Sequence, residues 1–232
     1  MARGKLIVFE GLDRSGKSSQ SLRLVEKLEA DGHHVLHMRF PDRTTPIGRL
    51  IDAYLKGESN QDDHVIHLLF SANRWEASST IHSHLAANTT VVLDRYFYSG
   101  IAYTHAKSLL SSTSSPSPPP SPLTLDWCTS PDVGLPRPDL TLFLDLTLEE
   151  AARRGGYGGE RYEKREMQER VREVFGRVWM GEGDAGRKAG EFVRVDAGKG
   201  MEEVEEEVWM NVRDMWESVE REGKGVGVFE MK

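Results

Sequence analysis

The residues with the clearest chemical potential lie near the N-terminus, in Glu10-Gly11-Leu12-Asp13-Arg14-Ser15-Gly16-Lys17-Ser18. This stretch fits G-x-x-x-x-G-K-[ST], a loop that wraps a polyphosphate. Gly11 and Gly16 tolerate backbone angles that other residues avoid, so successive N–H groups can converge on anionic oxygens. Lys17 would reach the terminal phosphates as a point charge, and the Ser18 hydroxyl would ligate Mg²⁺. A second set of basic groups sits apart from this loop: Arg43 after Phe40-Pro41-Asp42, and Arg95 directly after Asp94. Two phosphate sites facing each other point to transfer between two phosphorylated partners. An acceptor that is itself a phosphate has a second pKa of about 6 and is mostly ionised near neutral pH. It needs no general base, only charge neutralisation and in-line positioning, which arginines, Lys17 and Mg²⁺ can supply.

The elements that must hold these groups are legible in the hydrophobic pattern. The apolar run Leu6-Ile7-Val8-Phe9 precedes the glycine loop, and Leu22, Leu24, Val25 and Leu28 follow it at helical spacing. The loop therefore joins a strand to a helix, whose positive N-terminal end faces the same anion. Asp31-Gly32 stops that helix and His34 to Phe40 reads as a second strand. Ile47, Leu50, Ile51, Tyr54 and Leu55 mark a helix ended by Gly57, and a longer helix starts after Asp62-Asp63 and runs to Leu85. Thr90-Val91-Val92-Leu93-Asp94 and Leu140 to Leu146 read as buried parallel strands. Thr147 with Glu150 forms a capping box for a short helix. Met167, Val171, Val174, Phe175 and Val178 continue as a helix, Phe192 to Asp196 is a last strand, and Val204 to Val219 a last helix with an acidic outer face. The alternation predicts an α/β fold: a doubly wound, five-stranded parallel sheet in three α/β/α layers. Ligands bind at the carboxyl ends of such strands, where Asp13, Arg14, Lys17, Arg43, Asp94 and Arg95 fall.

Two segments interrupt the pattern. Residues 108–122 turn abruptly to serine and proline, a surface insertion that reads as loop expansion and carries Ser-Pro pairs that could be phosphorylated. Residues 153–162, Arg153-Arg154-Gly155-Gly156-Tyr157-Gly158-Gly159-Glu160-Arg161-Tyr162, combine glycines with arginines, as suits a lid that closes over phosphates. The whole chain, 1–232, is read as one domain that contains both segments.

Composition narrows the classes further. The formal charge of -7 does not advertise nucleic-acid or membrane binding, so an anionic ligand needs a local basic cluster. The single cysteine, Cys128, cannot form an internal disulfide and is consistent with a reducing compartment. No apolar run approaches membrane-spanning length, and Met1 to Lys5 lead directly into the first strand without room for a signal peptide. A cytoplasmic enzyme is expected, a nuclear location being compatible. A GTP-binding switch would share the glycine loop, but the chain has no Asn-Lys-x-Asp and, outside the loop, no Asp-x-x-Gly. His64 and His67 lie one helical turn apart without an evident third ligand for zinc.

Leu93-Asp94-Arg95-Tyr96-Phe97-Tyr98-Ser99-Gly100-Ile101-Ala102-Tyr103-Thr104 resembles the signature of the thymidylate kinase family. Phe40-Pro41-Asp42-Arg43, Phe70-Ser71-Ala72-Asn73-Arg74-Trp75-Glu76 and Pro131 to Leu140 are similar to further family stretches. Arg14 inside the glycine loop resembles the eukaryotic-type branch, in which the catalytic arginine sits there rather than in the lid. The resemblance implies a P-loop nucleoside monophosphate kinase fold, phosphorylation of dTMP to dTDP with Mg-ATP, and a homodimer. It implies Arg14, Lys17, Asp94 and Arg95 as catalytic residues, with Ser18 and Asp94 serving Mg²⁺, partly through water. ATP would meet Arg14, Ser15, Gly16, Lys17, Ser18, Ser19 and Lys199, with Arg153 and Arg161 as lid candidates beside Arg154. For dTMP it implies stacking on Phe70 and donation from Arg74 to thymine O4, which discriminates against the cytosine amino group. Arg43 and Arg95 would clamp the phosphate, Asp13 would accept from the 3′-OH, and Tyr103 would crowd the 2′ position. Phe40, Gly100 and Tyr162 complete that site. A kinase for another nucleoside monophosphate and a non-catalytic nucleotide switch are the alternatives.

Overall fold

Leu6–Gly11 forms strand β1, buried at every position. Its continuous apolar run requires strand partners on both edges and helices on both faces. The computed structural model describes residues 3–114, 123–154, 159–180, 192–222 and 225–230. β2 is Val35–Arg39, β3 Thr90–Asp94, β4 Leu140–Asp145 and β5 Phe192–Asp196. They pair in the order β2-β3-β1-β4-β5, all parallel. The register aligns the carboxyl ends: Phe9 lies opposite Asp94, Arg39 opposite Asp94, and Gly11 opposite Leu144.

The helices are α1 (Lys17–Ala30), α2 (Pro46–Leu55), α3 (Asp63–Ala86), α4 (Phe97–Ser114), α5 (Leu125–Thr129), α6 (Leu148–Arg153), α7 (Arg165–Val178) and α8 (Met201–Glu222). Leu24 and Leu28 of α1 join Val204 and Val208 of α8 over Ile7, Phe9 and Val92. On the opposite face Ile81 and Leu85 of α3, Phe97 and Ile101 of α4, and Val171 and Phe175 of α7 cover Val8, Leu93 and Phe143. The three-layer α/β/α arrangement expected from the alternation is the one observed. Thr147 caps α6, accepting from the Glu150 amide at 3.3 Å while its hydroxyl donates to the Glu150 carboxylate at 2.7 Å.

The hydrophobic period did not reveal α4. Packed between α3, α7 and the sheet, it is apolar on several faces and carries no single stripe to detect. It runs on to Ser114, so residues 108–114 of the expected insertion are helical. The prolines that break a helix begin only at Pro116, and residues 115–122 lie outside the described residues. The chain after α8 returns to the core: the Phe229 amide donates to Leu135 O at 2.8 Å, and its ring stacks on Phe97 with centroids 4.1 Å apart. Among the described residues no helix is long and apolar enough to cross a membrane.

Candidate active site

The glycine loop between β1 and α1 is held by its own backbone. Gly16 adopts φ 92° as the residue preceding α1, and Arg14 takes φ 67°, a left-handed conformation uncommon outside glycine and typical of strained functional loops. Lys17 is only 6% exposed; its ammonium donates to Leu12 O at 2.5 Å and lies 3.4 Å from the Ser15 hydroxyl. Burial pulls it down to about 7, the nearby Arg95 charge acting in the same direction and Asp13, Asp94 and Glu10 opposing it. Ser18 donates to Asp94 Oδ2 at 2.5 Å. Asp94 is 1% exposed, and its Oδ1 is buried with no hydrogen-bond partner. Around this loop opens a cavity of about 600 Å³ lined by Arg14, Ser15, Gly16, Lys17, Ser18, Ser19, Arg154, Lys199, Met201 and Val204, among others.

A second cavity, about 200 Å³, lies beyond the ends of β2 and β3. Its wall includes Phe40, Arg43, Phe70, Arg74, Gly100, Tyr103, Thr104, Glu160 and Tyr162. The two cavities share Asp13, Arg39, Arg95 and Glu163. Arg95, at φ 70°, donates to Gly11 O at 3.1 Å, to Ser99 Oγ at 2.9 Å, and to Asp13 Oδ1. Burial alone would raise the Asp13 carboxyl, but Arg95 and Lys17 outweigh it and hold Asp13 below its ordinary range. The carboxylate is thus ionised, the state in which it accepts hydrogen bonds.

Arg74 is bidentate to Asp132, with Nε to Oδ1 at 3.0 Å and Nη2 to Oδ2 at 2.7 Å. Both side chains are buried, at 3% and 0% exposure. The guanidinium presses the end of its fork against α4, where a Cβ on Gly100 would come within 2.8 Å of both its terminal nitrogens. Glycine is therefore required there for close approach, and Asp132 is what fixes the arginine's direction. Arg43 lines the smaller cavity as expected, but its Nη1 and Nη2 hold Glu160 at 2.7 and 3.0 Å, and Nη1 holds Asp52 at 2.7 Å. The Glu160 carboxylate thus occupies the Arg43 fork, a bidentate geometry that also suits a phosphate.

The arginines of the 153–162 segment divide in a way the glycine-rich sequence left open. Arg154 turns to the loop, donating to Arg14 O at 3.2 Å and Ala197 O at 2.6 Å. Arg161, an ATP-site candidate, is placed elsewhere: it donates to Tyr54 O and Ser59 O at 3.0 Å each and covers the Tyr54 ring. Arg153 is exposed and lines neither cavity. Carbonyls at the end of α2 and beyond capture Arg161, whereas Arg154 follows α6 toward the loop. Residues 155–158 lie outside the described residues.

Several site residues escaped the sequence. Gln168 of α7, fully buried, donates to Asp13 Oδ2 at 2.8 Å, to Tyr103 OH at 3.2 Å and to Tyr162 O at 2.9 Å, and accepts from the Asp13 amide at 3.1 Å. Glu10 accepts from the amides of Tyr96 and Ser99 at 2.9 and 3.1 Å, anchoring the start of α4; burial raises its carboxyl. Glu163 lies 3.9 Å from Arg14 and accepts from the Gly159 amide at 2.8 Å. A polar residue on the inner face of α7 was the one signal for Gln168. His67 is satisfied inside the core, its ring nitrogens 2.8 Å from Thr104 Oγ1 and 2.9 Å from Cys128 O, and burial lowers it to about 4.

Comparisons with known proteins agree with this arrangement. The sequence profile described as thymidylate kinase matches residues 9–208. The thymidylate kinase of Homo sapiens is 48% identical over 206 residues, covering 89% of this chain and 88% of its own. That of Schizosaccharomyces pombe is 47% identical over 206 residues, covering 89% and 90%. The solved structure of thymidylate kinase from Candida albicans superposes with a TM-score of 0.82 at 41% identity, covering 99% of this chain and 100% of that one. The profile runs from β1 into α8, across the glycine loop, Arg43, Arg95 and the described residues of the 153–162 segment. The chain belongs to the thymidylate kinase family.

Proposed function

We propose that the smaller cavity is the dTMP site and the larger the ATP site of one reaction, transfer of the γ-phosphoryl group of ATP to dTMP to give dTDP. The observation that carries this reading is the shared wall of Asp13, Arg39, Arg95 and Glu163. Two cavities that meet at a wall carrying Arg39 and Arg95 allow two phosphate ends to approach in line. Thymine stacks on Phe70 and receives a hydrogen bond from Arg74, whose outer face Asp132 leaves toward the base. Asp13 accepts from the 3′-OH, while Tyr103, held by Gln168, crowds the 2′ position. Arg43 and Arg95 grip the dTMP phosphate, with Arg43 exchanging Glu160 for it.

In the transfer a dTMP phosphate oxygen forms a bond to the γ-phosphorus as the bond from that phosphorus to the β–γ bridging oxygen breaks, leaving the electron pair on ADP. Lys17 and Arg14 neutralise charge on the donor side. Arg154 replaces Arg161 as the lid arginine nearest the donor phosphates. Asp94 and Ser18 fit a Mg²⁺ site: Asp94 offers a buried, unpartnered oxygen beside the Ser18 hydroxyl. No group of three or more His, Cys, Asp or Glu among the described residues could hold a metal alone, so the ion would lean on nucleotide phosphates and water. Bound there with ATP, Mg²⁺ supplies neutralisation of the β- and γ-phosphates. Incubation with Mg-ATP and each nucleoside monophosphate, followed by ADP formation, tests the reading. ADP should appear with dTMP and disappear with EDTA; faster turnover of UMP or GMP would overturn the assignment.

The homodimer implied by the resemblance would cover Leu50 of α2 and Val65 and Leu68 of α3, which are exposed at 51, 44 and 48%. Sedimentation should then report twice the chain mass of 26.1 kDa, and a monomer at micromolar concentration would refute it.

A further inference from the structure

Arg39 ends β2 and belongs to none of the motifs that marked the other site residues. The β2–β3 register sets it opposite Asp94, and its side chain lines both cavities while remaining 64% exposed. Its Nε is 3.6 Å from Asp94 Oδ2, a long and loose ion pair that constrains the guanidinium little. The other cations of the seam are committed. Arg95 is 14% exposed and spends its fork on Gly11 O, Ser99 and Asp13; Lys17 is buried on Leu12 O. Arg14 and Arg154 line only the larger cavity, and Arg43 only the smaller. Arg39 is therefore the shared-wall cation with donors left for a group lying between the two sites.

We propose that Arg39 is a catalytic residue that contacts the phosphoryl group in transit. Resting on the two-site reading above, the role is specific: Arg39 moves no proton and forms no covalent bond. Its N–H groups meet the equatorial oxygens of the γ-phosphoryl group while one P–O bond forms to dTMP and the other breaks toward ADP. The phosphoryl group lies midway between donor and acceptor only while it is being transferred, so the contact is strongest in the transition state. The weak tether to Asp94 holds the side chain near the seam without occupying its fork.

Arg39→Gln and Arg39→Lys provide the test, once the wild-type protein has been shown to turn over dTMP; failure of that control would reject the two-site reading itself, separately from Arg39. The measurements are kcat, calorimetric Kd for dTMP alone and ADP alone, and Kd for a bisubstrate compound in which adenosine and thymidine are joined through five phosphates. Arg39→Gln should lower kcat by about 10²-fold and leave each single nucleotide within about threefold of wild type. The bridged compound should weaken by about tenfold more than those two losses combined, with Arg39→Lys recovering part of both effects. Unchanged kcat would overturn the proposal. So would a loss confined to dTMP affinity, or a parallel weakening of all three ligands with a lower melting temperature, which would mark Arg39 as a support for Asp94.

Discussion

Replacing Lys17 with methionine is expected to lower kcat/KM by on the order of 10³-fold while making the unliganded protein more stable at pH 6. The ammonium is 6% exposed and burial pulls it down to about 7, well below the roughly 10.4 of a free lysine. Between these values the unfolded chain binds a proton that the folded chain lacks, so this group makes stability rise with pH across that window. Below pH 7 both states are protonated and the full penalty of a buried charge is present. Methionine removes that penalty at the cost of one donor to Leu12 O. Its advantage in melting temperature should be about 3 °C or more at pH 6 and should shrink toward pH 10. An equal or lower melting temperature at pH 6 would show that the loop accommodates the charge without strain. On the proposed two-site reading the same burial serves function, because a desolvated ammonium attracts incoming phosphates more strongly than a hydrated one.

Arg74→Leu should destabilise the protein by about 3–5 kcal/mol, since it leaves Asp132 buried without its cation. Asp132 is 0% exposed and would keep the Ser71 hydroxyl, which donates to it at 2.8 Å, but no positive charge in the Arg74 position. Adding Asp132→Leu should recover most of that loss, because removing both charges leaves no unpaired ion. Selectivity for dTMP over dCMP should remain impaired in the double variant, separating the arginine's structural role from base recognition. Denaturant unfolding with dTMP and dCMP kinetics on the wild type and the two variants reads both effects. A double variant no more stable than Arg74→Leu would show that packing against Gly100, rather than charge burial, dominates.

The phosphate cradle was legible because it is local: Gly11, Gly16, Lys17 and Ser18 are consecutive in a strand, loop and helix, and short-range backbone rules alone define their arrangement. The five strands were legible for the same reason, their apolar runs being long enough to name. Helix α4 was not, because burial on several faces erases the periodicity that marks a half-exposed helix.

The family resemblance in the sequence named Asp13, Arg43, Arg74 and Arg95, and the structure gathers these around one cavity with Arg39. What tertiary structure alone decided is how each charge is oriented. Asp132 holds Arg74 across 58 positions and Gln168 holds Asp13 across 155. The choice of Arg154 over Arg161 beside the loop turns on carbonyls of the α2 end. The sequence by itself therefore determined the phosphate cradle and the layered fold, through local order and hydrophobic period. Pairing, burial and the junction of two cavities depend on segments far apart in the chain meeting in a desolvated space, where one partner's charge sets the direction and protonation of the other.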